Sequence, residues 1–431
     1  MPVTAATGIA EATNPIENFA NPWVPREDIV ITSVRAIATA PGGTALVVVR
    51  IDTNVPGLYG LGCATFTQRW KAVKTFVDEH LARLLIGRYP GDIGDLTRLA
   101  AFSGYWRGGP VTNNAISGID QALWDIAGKR AGMPVHELLG GKVRAAAATY
   151  LHASGRTFAE AIEDAQRLVE EGYSHIRLQI STPGGGGYGA PALPTIYHNA
   201  PYRNGWSARD YLRAVPSLFE EARNVLPANI ELLHDVHSRL TPKEAVCLSR
   251  SLEPYGLFFL EDVLPPEHWD RLPEVRAASP VPIAVGELTT SLTDAARLVR
   301  EGGVDFIRSH ISDIGGLSPA KKIADLAELC GVRTAWHGPG DTSPIGAAAN
   351  VAIDVSSPAF GIQEGHVYNE ATHDVFPGTL RIRNGWLFPN NEPGWGIDID
   401  EDAAAHFPPE LSGHDEWAAG VRRPDGALEA P

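Results

Sequence analysis

The chain has 431 residues, 44% of them hydrophobic, and a formal net charge of −15 at pH 7. This length suits two domains with a large core, and an acidic chain without a lysine and arginine cluster argues against nucleic acid as a partner. Its three cysteines lack metal-binding spacing and indicate reduced thiols. The first residues do not resemble a secretory signal, and no apolar run approaches the roughly 20 residues of a membrane span. We therefore expect a soluble, cytoplasmic protein without a membrane partner.

The first third of the chain predicts an irregular arm followed by an α+β domain. Residues 1–27 are polar and form the arm, and residues 28–145 form the domain. Within the domain, residues 29–39 and 44–51 predict two strands joined by a turn at Ala40-Pro41-Gly42-Gly43. Helical apolar spacing follows in residues 71–86, 95–102 and 116–130.

From Ala146 the pattern changes to a repeated alternation of strand and helix. The eight strand candidates are residues 147–152, 175–180, 230–235, 257–261, 283–287, 304–309, 332–337 and 359–363. Helical stretches rich in alanine and leucine lie between most of them, including 157–171, 207–225, 241–252 and 318–330. This alternation predicts an α/β fold with a (β/α)₈ TIM barrel over residues 146–375 rather than an open sheet.

Residues 376–431 form a C-terminal segment of different character. Residues 380–388 predict a hairpin with its turn at Asn384-Gly385. Because a finished barrel has no edge to extend, we expect this segment to return to the N-terminal domain.

Three short apolar runs end in a carboxylate at equal spacing, since Asp235, Glu261 and Glu287 follow one another at intervals of 26 residues. A βα unit occupies about this length, so the acids fall at the same ends of three successive parallel strands. In a barrel this is the C-terminal face, where active sites lie. One such acid would fit a helix cap or an ion pair, but three in register, with His237 beside the first, favour a cation site. All-oxygen ligation suits Mg²⁺.

A long insertion follows the second predicted barrel strand. Residues 181–206 contain four successive glycines, and Tyr188 comes directly after them. A loop of this length at the active-site end of a barrel is often a lid. A surface excursion without function is the alternative, and the position of Tyr188 favours a functional loop.

Stretches along most of the chain resemble the enolase superfamily and, within it, the mannonate dehydratase-like subgroup of acid-sugar dehydratases. Two of them are Asp235-Val-His237 and Leu260-Glu-Asp262. The others are residues 119–126, 133–141, 286–287, 313–319, 337–341 and 361–364. The resemblance implies a modified TIM barrel closed by an α+β capping domain that both chain ends build. It also implies a homo-oligomer, often an octamer built from dimers.

The resemblance also assigns roles in proton transfer. Removing the hydrogen next to a carboxylate creates a dianion, which a divalent ion stabilises as a Lewis acid. Asp235, Glu261 and Glu287 would hold one Mg²⁺ per subunit for this purpose. Tyr188 would be the base, with Arg177 lowering its pKa from the usual value of about 10. His237 would protonate the departing 3-hydroxyl.

The remaining site residues are expected to bind the hydroxyls or the carboxylate of the substrate. By resemblance they are His152, Arg308, His337, Asp341, Glu364 and, in the capping domain, Thr67. Each also has a structural alternative, such as an ion pair at the barrel rim, a core histidine, a turn or a helix cap. Taken together at strand ends, they favour a site.

Two departures from the subgroup pattern leave the substrate open. The capping loop carries Cys63 where the subgroup has aspartate, and Thr67 where it has a substrate-binding asparagine. Pro339 is expected to accompany the weaker or gluconate-using members. These changes spare the residues expected to bind metal and transfer protons.

Three functions remain open at this point. The first is Mg²⁺-dependent dehydration of D-mannonate, D-gluconate or both to the 2-keto-3-deoxy sugar acid. The second is a racemase, epimerase or cycloisomerase with lysine bases, which is disfavoured because Arg177-Leu-Gln179 and Arg308-Ser-His310 contain no lysine. The third is a homologue that binds a sugar acid with little or no turnover.

Overall fold

The structure is a computed structural model that describes residues 29–181, 190–191, 199–201, 205–410 and 421–428. The predicted arm at residues 1–27, Tyr188 and most of the 181–206 insertion lie outside the described residues. In the part of the chain that is described, no helix combines the length and the hydropathy needed to cross a membrane. All three cysteines are free thiols.

The N-terminal domain is a three-stranded antiparallel sheet covered by helices. The strands β1 (Ile31–Thr39), β2 (Leu46–Thr53) and β3 (Tyr59–Cys63) pair in sequence order. The helices are α1 (Trp70–Thr75), which continues as a π-helix (Phe76–Leu81) into α2 (Ala82–Leu85), then α3 (Ile93–Ala101), α4 (Pro110–Ala131) and α5 (Val135–Leu138).

The long helix α4 lies directly on β3, and two glycines make this contact possible. A Cβ at Gly60 would lie 1.9 Å from the Ala122 carbonyl oxygen, and one at Gly62 would lie 2.0 Å from the Gly118 carbonyl oxygen. Proline at the first position of α4 starts the helix, and Gly132, with a φ of 65°, ends it in the left-handed conformation.

The second domain is a parallel barrel in which consecutive strands are neighbours. Its strands are β4 (Ala147–Ala153), β5 (His175–Leu178), β6 (Glu231–Asp235), β7 (Phe259–Glu261), β8 (Ile283–Val285), β9 (Phe306–Ile307), β10 (Arg333–Thr334) and β11 (Gln363–Glu364). The sheet runs from β10 back to β4 and then to β11. A parallel bridge between Thr334 and Phe360 closes it. The predicted fold class is therefore confirmed.

Amphipathic helices surround the barrel. They are α6 (Phe158–Glu170), α7 (Ala208–Val225), α8 (Pro242–Leu252), α9 (Leu272–Ala278), α10 (Leu292–Arg300), α11 (Leu317–Cys330) and α12 (Pro344–Ser356). The side chains of Thr157, Ser207 and Ser291 cap α6, α7 and α10 by accepting a backbone N–H three residues later. Buried side chains including Tyr150, Phe259 and Phe306 fill the barrel interior.

The C-terminal segment forms α13 (Glu370–Val375), β12 (Trp386–Leu387) and α14 (Glu401–Ala404). The predicted turn is present, with φ values of 50° at Asn384 and 77° at Gly385. However, β12 pairs antiparallel with Ala147 and Ala148 of β4, so the prediction that the hairpin could not extend the barrel is wrong. The reason is that β4 begins before its pairing with β5, which starts at Leu151, and this leaves backbone groups free at its start.

Beyond the hairpin, the C-terminal segment contacts the N-terminal domain. Glu401 accepts hydrogen bonds from Arg35 at 2.5 and 2.6 Å. The Tyr59 hydroxyl donates to Asp398 at 2.6 Å, and the indole of Trp395 donates to the Leu61 carbonyl at 2.9 Å. These contacts join residues from both ends of the chain.

Asp354 of α12 is a buried acid whose carboxylate oxygens accept no hydrogen bond in the described structure. The nearby Arg144 guanidinium donates instead to the backbone carbonyl of Asp354. Burial raises the pKa of Asp354 well above its usual range, and the charge of Arg144 lowers it only in part. The folded protein therefore binds a proton at this carboxylate more tightly than the unfolded chain does.

We expect Asp354→Asn to raise the free energy of unfolding, with a larger gain at about pH 8 than at about pH 5. A raised folded-state pKa adds stability at low pH, and this stability is lost as the pH rises through that pKa. Asparagine does not ionise, so the variant keeps about 1–3 kcal/mol that the parent loses. Denaturant unfolding at both pH values, with the exposed Asp374→Asn as control, measures this difference. An equal gain at both pH values would contradict the explanation.

Candidate active site

The predicted acids lie at the C-terminal ends of neighbouring barrel strands. Asp235 and Glu261 are the last residues of β6 and β7 and are paired in register. Glu287 follows two residues after the end of β8. Gly286 before it has a φ of 145°, and a Cβ there would lie 3.0 Å from the Arg308 backbone nitrogen. The close approach of β8 and β9 at this point therefore requires glycine.

Glu261 is the centre of the site, fully buried between two arginines. Arg177 Nη1 lies 2.5 Å from its carboxylate, and Arg308 Nη2 lies 2.6 Å away. The Tyr150 hydroxyl also donates to Glu261, at 3.3 Å. Burial raises the pKa of Glu261 to about 7, although both arginines oppose this shift. Burial therefore outweighs the two guanidiniums in its effect on the pKa of Glu261.

A compact cluster of carboxylate oxygens surrounds this position. In the described part of the chain, oxygen atoms of Glu261, Asp262 and Glu287 lie within 4.8 Å of one another. Asp235 adjoins this cluster through Arg177 Nη1, which lies 3.6 Å from its carboxylate. One oxygen of Asp262 accepts from the Gly286 N–H at 3.2 Å, while the other is buried without a hydrogen-bond partner. Hard oxygen donors and a buried acceptor without a donor fit a Mg²⁺ ion.

The charge balance of the site also favours a divalent cation. The five acids around Glu261, itself included, are Asp235, Glu261, Asp262, Glu287 and Glu364, and all are buried except Glu287, whose side chain is 23% exposed. Arg177, Arg308 and His337 supply the opposing charges, because neighbouring Glu287 and Glu364 raise the pKa of His337 to about 10 against the effect of burial. If all five acids ionise, two negative charges remain, and buried charges without partners are unfavourable.

Glu364 joins the two arginines to His152. It accepts from Arg308 Nη2 at 2.8 Å and from His152 Nε2 at 2.7 Å. Arg177 Nη2 donates to His152 Nδ1 at 3.2 Å, so the proton of this ring lies on Nε2. Burial lowers the pKa of His152 to about 4, and the ring is neutral. The structure therefore brings His152, Arg308 and Glu364 together, as the resemblance implied for substrate-binding residues.

A second group forms the neighbouring wall of the site. His337 Nε2 lies 3.3 Å from Glu287, and the ring of His310 packs against the His337 ring at 5.2 Å. His310 Nδ1 accepts from the Ser312 N–H, so its Nε2 carries a proton toward Thr342, 3.1 Å away, and Asp341, 4.0 Å away. A protonated Nε2 does not bind a metal, and this wall therefore presents hydrogen-bond donors.

His237 lies beside Asp235 on a sharp backbone turn. Its φ is 59° and that of Ser238 is 60°, and its N–H donates to the Asp235 carboxylate at 2.7 Å. Its Nε2 lies 4.0 Å from the same carboxylate. Arg239 Nη2 donates to its Nδ1 at 3.0 Å. Because a guanidinium only donates, Nδ1 bears a lone pair and the neutral ring carries its proton on Nε2.

The capping-domain residue Thr67 is engaged away from the barrel acids. Its side chain is buried, and its hydroxyl donates to the Ala45 carbonyl at 3.2 Å. Cys63 is buried at the interface between the domains, where the Ser312 hydroxyl lies 3.5 Å from both its sulfur and its carbonyl oxygen. The structure thus does not bring Thr67 into the barrel cluster, and Tyr188 lies outside the described residues.

Four residues of the site were missed in the sequence interpretation: Tyr150, His310, Arg239 and Asp262. Asp262 follows Glu261 directly, and an acid pair after a strand was a usable signal. Tyr150 sits two residues before His152 on the same face of β4, and this spacing places both in the barrel interior. The contact of Arg239 with His237 depends on the turn between them, and the sequence carries no comparable signal for it.

Family models match both domains. The mandelate racemase/muconate lactonizing enzyme N-terminal domain matches residues 25–140, and the enolase C-terminal domain-like family matches residues 160–403. The chain belongs to the enolase superfamily. This membership agrees with a barrel whose strand ends carry the acids and with a smaller domain packed against it.

Relatives and solved structures of this superfamily match nearly the whole chain. A D-galactonate dehydratase family member from Catenulispora acidiphila is 59% identical over 429 residues, covering 100% of both chains. Another, from Pantoea ananatis, is 49% identical and covers 94% of this chain and 100% of its own. A crystal structure of an enolase from Pantoea ananatis with bound D-gluconate and Mg has a TM-score of 0.89 at 48% identity, covering 94% of this chain and 100% of that one. The chain is therefore a member of the D-galactonate dehydratase family.

Proposed function

We propose that this protein is a Mg²⁺-dependent dehydratase of a sugar acid, with D-gluconate, D-mannonate or both as substrate and the 2-keto-3-deoxy sugar acid as product. The observation that carries this proposal is the buried group of carboxylates around Glu261, whose excess negative charge one divalent ion balances. The Pantoea ananatis enolase with D-gluconate and Mg supports the same class of ligand.

The proposed metal ligands are Asp235, Glu261 and Glu287, and Asp262 is a further candidate. A bound Mg²⁺ supplies Lewis-acid stabilisation of the charge that develops on the substrate carboxylate. Arg177 and Arg308 hold Glu261 in place from two sides. The buried ion pairs thus fix the acids before substrate arrives, which reduces the reorganisation needed during the reaction.

The substrate hydroxyls would face residues that donate hydrogen bonds. His337 and His310 present N–H groups on one wall, and His152 and Arg308 lie next to this wall around Glu364, whose carboxylate is 3.8 Å from His337 Nε2. A sugar acid offers hydroxyl groups that both donate and accept, so it pairs with these groups and with Asp341. A site that binds hydroxyls in this way discriminates strongly against analogues that lack them.

Two residues are proposed to transfer protons. Tyr188 is the base for D-mannonate, with Arg177 lowering its pKa, and this assignment comes from the family resemblance. His237 is the acid that protonates the departing 3-hydroxyl. D-Gluconate has the opposite configuration at the second carbon, so its hydrogen would face His237, which would then serve as both base and acid.

A screen of sugar acids tests the proposed function. Purified protein with Mg²⁺ is incubated with D-gluconate, D-mannonate and D-galactonate, and the 2-keto-3-deoxy product is quantified with and without chelator. We expect product from D-gluconate or D-mannonate, and we expect that product to be absent when chelator is present. Tight binding of a sugar acid by calorimetry without product would favour a non-catalytic homologue. The hydroxyl of Thr67, bonded to Ala45, favours that second candidate because it replaces an expected substrate contact.

The assignment of the base has its own test. Tyr188→Phe is expected to reduce the rate of D-mannonate dehydration by about 10²-fold or more. The same variant should still exchange the second-carbon hydrogen of D-gluconate with solvent deuterium, because that proton is taken by His237. Mass spectrometry of substrate recovered from deuterium oxide measures the exchange, and Tyr173→Phe is the control. Dehydration of D-mannonate at the parent rate would show that Tyr188 is not the base.

A further inference from the structure

His234 is a buried histidine directly before the proposed metal ligand Asp235, and none of the proposed steps uses it. Side chains alternate along a strand, so the His234 ring points away from the barrel interior and toward helix α7. There it stacks on the Tyr211 ring at 5.8 Å and meets the edge of the Phe219 ring at 5.4 Å. A polar ring thus occupies a position among apolar groups of the helix layer.

The ring of His234 makes two hydrogen bonds. Its Nδ1 lies 2.7 Å from the Leu178 carbonyl oxygen, and its Nε2 lies 2.7 Å from the Tyr211 hydroxyl. A carbonyl oxygen only accepts, so Nδ1 carries the proton. Burial lowers the pKa of His234 to about 4, so the ring is neutral and Nε2 accepts from the hydroxyl. His234 therefore connects the end of β5 to α7.

The hydrogen bond to Leu178 lies where two barrel strands stop pairing. The backbone register between β5 and β6 ends at Arg177 and Leu233. Leu178 and His234 are the next residues on the two strands, and there the imidazole supplies the N–H donor in place of the backbone. The bond therefore sets the separation of β5 and β6 just beyond their last backbone pair.

The residues on either side of Leu178 contact the proposed metal ligand. Gln179 follows Leu178 and donates to Asp235 Oδ2 at 3.2 Å. Arg177 precedes Leu178, and its Nη1 lies 3.6 Å from the same oxygen. Both contacts depend on where the end of β5 lies relative to β6. The bond from His234 therefore bears on the orientation of the Asp235 carboxylate.

Further contacts hold Tyr211 in place. The buried ring of Trp206 packs against the Tyr211 ring, with centroids 6.1 Å apart. The Trp206 backbone N–H donates to the Arg422 carbonyl at 2.6 Å, which joins this group to the C-terminal segment. The Tyr211 hydroxyl also lies 3.4 Å from the Asp235 carbonyl oxygen. These contacts keep the hydroxyl directed at the His234 ring.

We propose that His234 is a positioning residue for the metal site, with its ring fixed by Tyr211. It holds the end of β5 at the separation from which the donors there orient Asp235. Loss of a residue that orients a metal ligand typically changes metal affinity or activity about 10–100-fold. The inference rests on the proposed Mg²⁺ site and adds two residues outside its ligand set. The alternative is a contact that only joins α7 to the barrel.

Tyr211→Phe tests the proposal because it removes the hydroxyl and keeps the ring. We expect this variant to bind Mg²⁺ about 10-fold more weakly than the parent, as measured by isothermal titration without substrate. The matched control is Tyr173→Phe, which removes the hydroxyl of another buried tyrosine, before the start of β5 and at the opposite end of that strand. The control should bind Mg²⁺ like the parent protein.

His234→Asn tests the other partner of the same hydrogen bond. An asparagine amide can still donate to the Leu178 carbonyl, but it offers Tyr211 no ring nitrogen. Because Tyr211→Phe and His234→Asn remove one and the same link, the double variant should bind Mg²⁺ no more weakly than the weaker-binding single variant. Additive losses of affinity would contradict the role of Tyr211 in fixing the ring.

Denaturant unfolding without Mg²⁺ separates positioning from a purely structural role. A purely structural contact lowers the free energy of unfolding and leaves Mg²⁺ affinity unchanged, and this result for Tyr211→Phe would overturn the proposal. A parent protein that does not bind Mg²⁺ would overturn it together with the metal site. Because the titration needs no substrate, a parent protein that binds Mg²⁺ and forms no product would contradict only the dehydratase activity.

Discussion

Glu287→Gln is expected to abolish Mg²⁺ binding and to reduce dehydration by about 10³-fold or more, while the fold remains intact. A metal that acts as a Lewis acid contributes several kcal/mol of stabilisation, and about 1.4 kcal/mol corresponds to each factor of ten. Glu287 is suited to this test because its side chain is 23% exposed and contacts His337 at 3.3 Å and Arg308 at 4.0 Å. Glutamine keeps its shape and removes its charge.

The same change at Glu261 is expected to act differently. Glu261 is fully buried between Arg177 and Arg308, so Glu261→Gln leaves two buried guanidiniums with less compensation. Breaking a buried ion pair costs about 3–5 kcal/mol, and this variant should lose thermal stability as well as metal binding. Comparing the two variants therefore separates loss of the ion from loss of the fold.

Isothermal titration with Mg²⁺ and product formation from the active sugar acid measure both effects. Glu231→Gln is the control, because Glu231 lies exposed at the opposite end of the strand that carries Asp235. It should bind Mg²⁺ like the parent protein. Unchanged Mg²⁺ affinity in Glu287→Gln would remove Glu287 from the ligand set.

The fold and the position of the acids were predictable because the barrel repeats one local unit. The spacing of Asp235, Glu261 and Glu287 matches one βα unit, so the strand ends coincide once the alternation of elements is identified. The observed register of Asp235 with Glu261 follows from this repeat. Apart from β4, which is one residue longer than predicted, the predicted barrel strands were longer than the observed ones, since apolar runs continue past the last ladder hydrogen bond.

The features that the sequence did not reveal depend on backbone turns and on strand N–H and C=O groups that a neighbouring strand leaves unpaired. Asp262 has a φ of 39°, and this conformation directs its carboxylate toward the Gly286 N–H. The pairing of β12 with Ala147 and Ala148 requires that β4 begin before its neighbour. Neither feature has a periodic signal, because both arise from how already formed elements meet.

The contact between Arg239 and His237 bears directly on the proposed role of His237 in proton transfer. Burial first, and then the charge of Arg239, lower the pKa of His237 to about 4. With its Nδ1 accepting from Arg239, the neutral ring carries a proton on Nε2. That form cannot accept a proton at Nε2, and it would have to give up its only proton to act as an acid. Turnover through Nε2 therefore requires Arg239 to release Nδ1.

His237→Asn is expected to reduce dehydration of both D-mannonate and D-gluconate by about 10²–10⁴-fold, because each reaction needs the acid that releases the 3-hydroxyl. Arg239→Met should behave differently, since it removes a nearby charge and leaves the ring in place. The pKa of His237 should then rise, and activity that depends on the protonated ring should extend to higher pH. The control is Arg209→Met, at the exposed start of α7. The dependence of kcat and kcat/KM on pH measures these effects. Dehydration of either sugar acid by the His237→Asn variant at the parent rate would refute the acid role of His237.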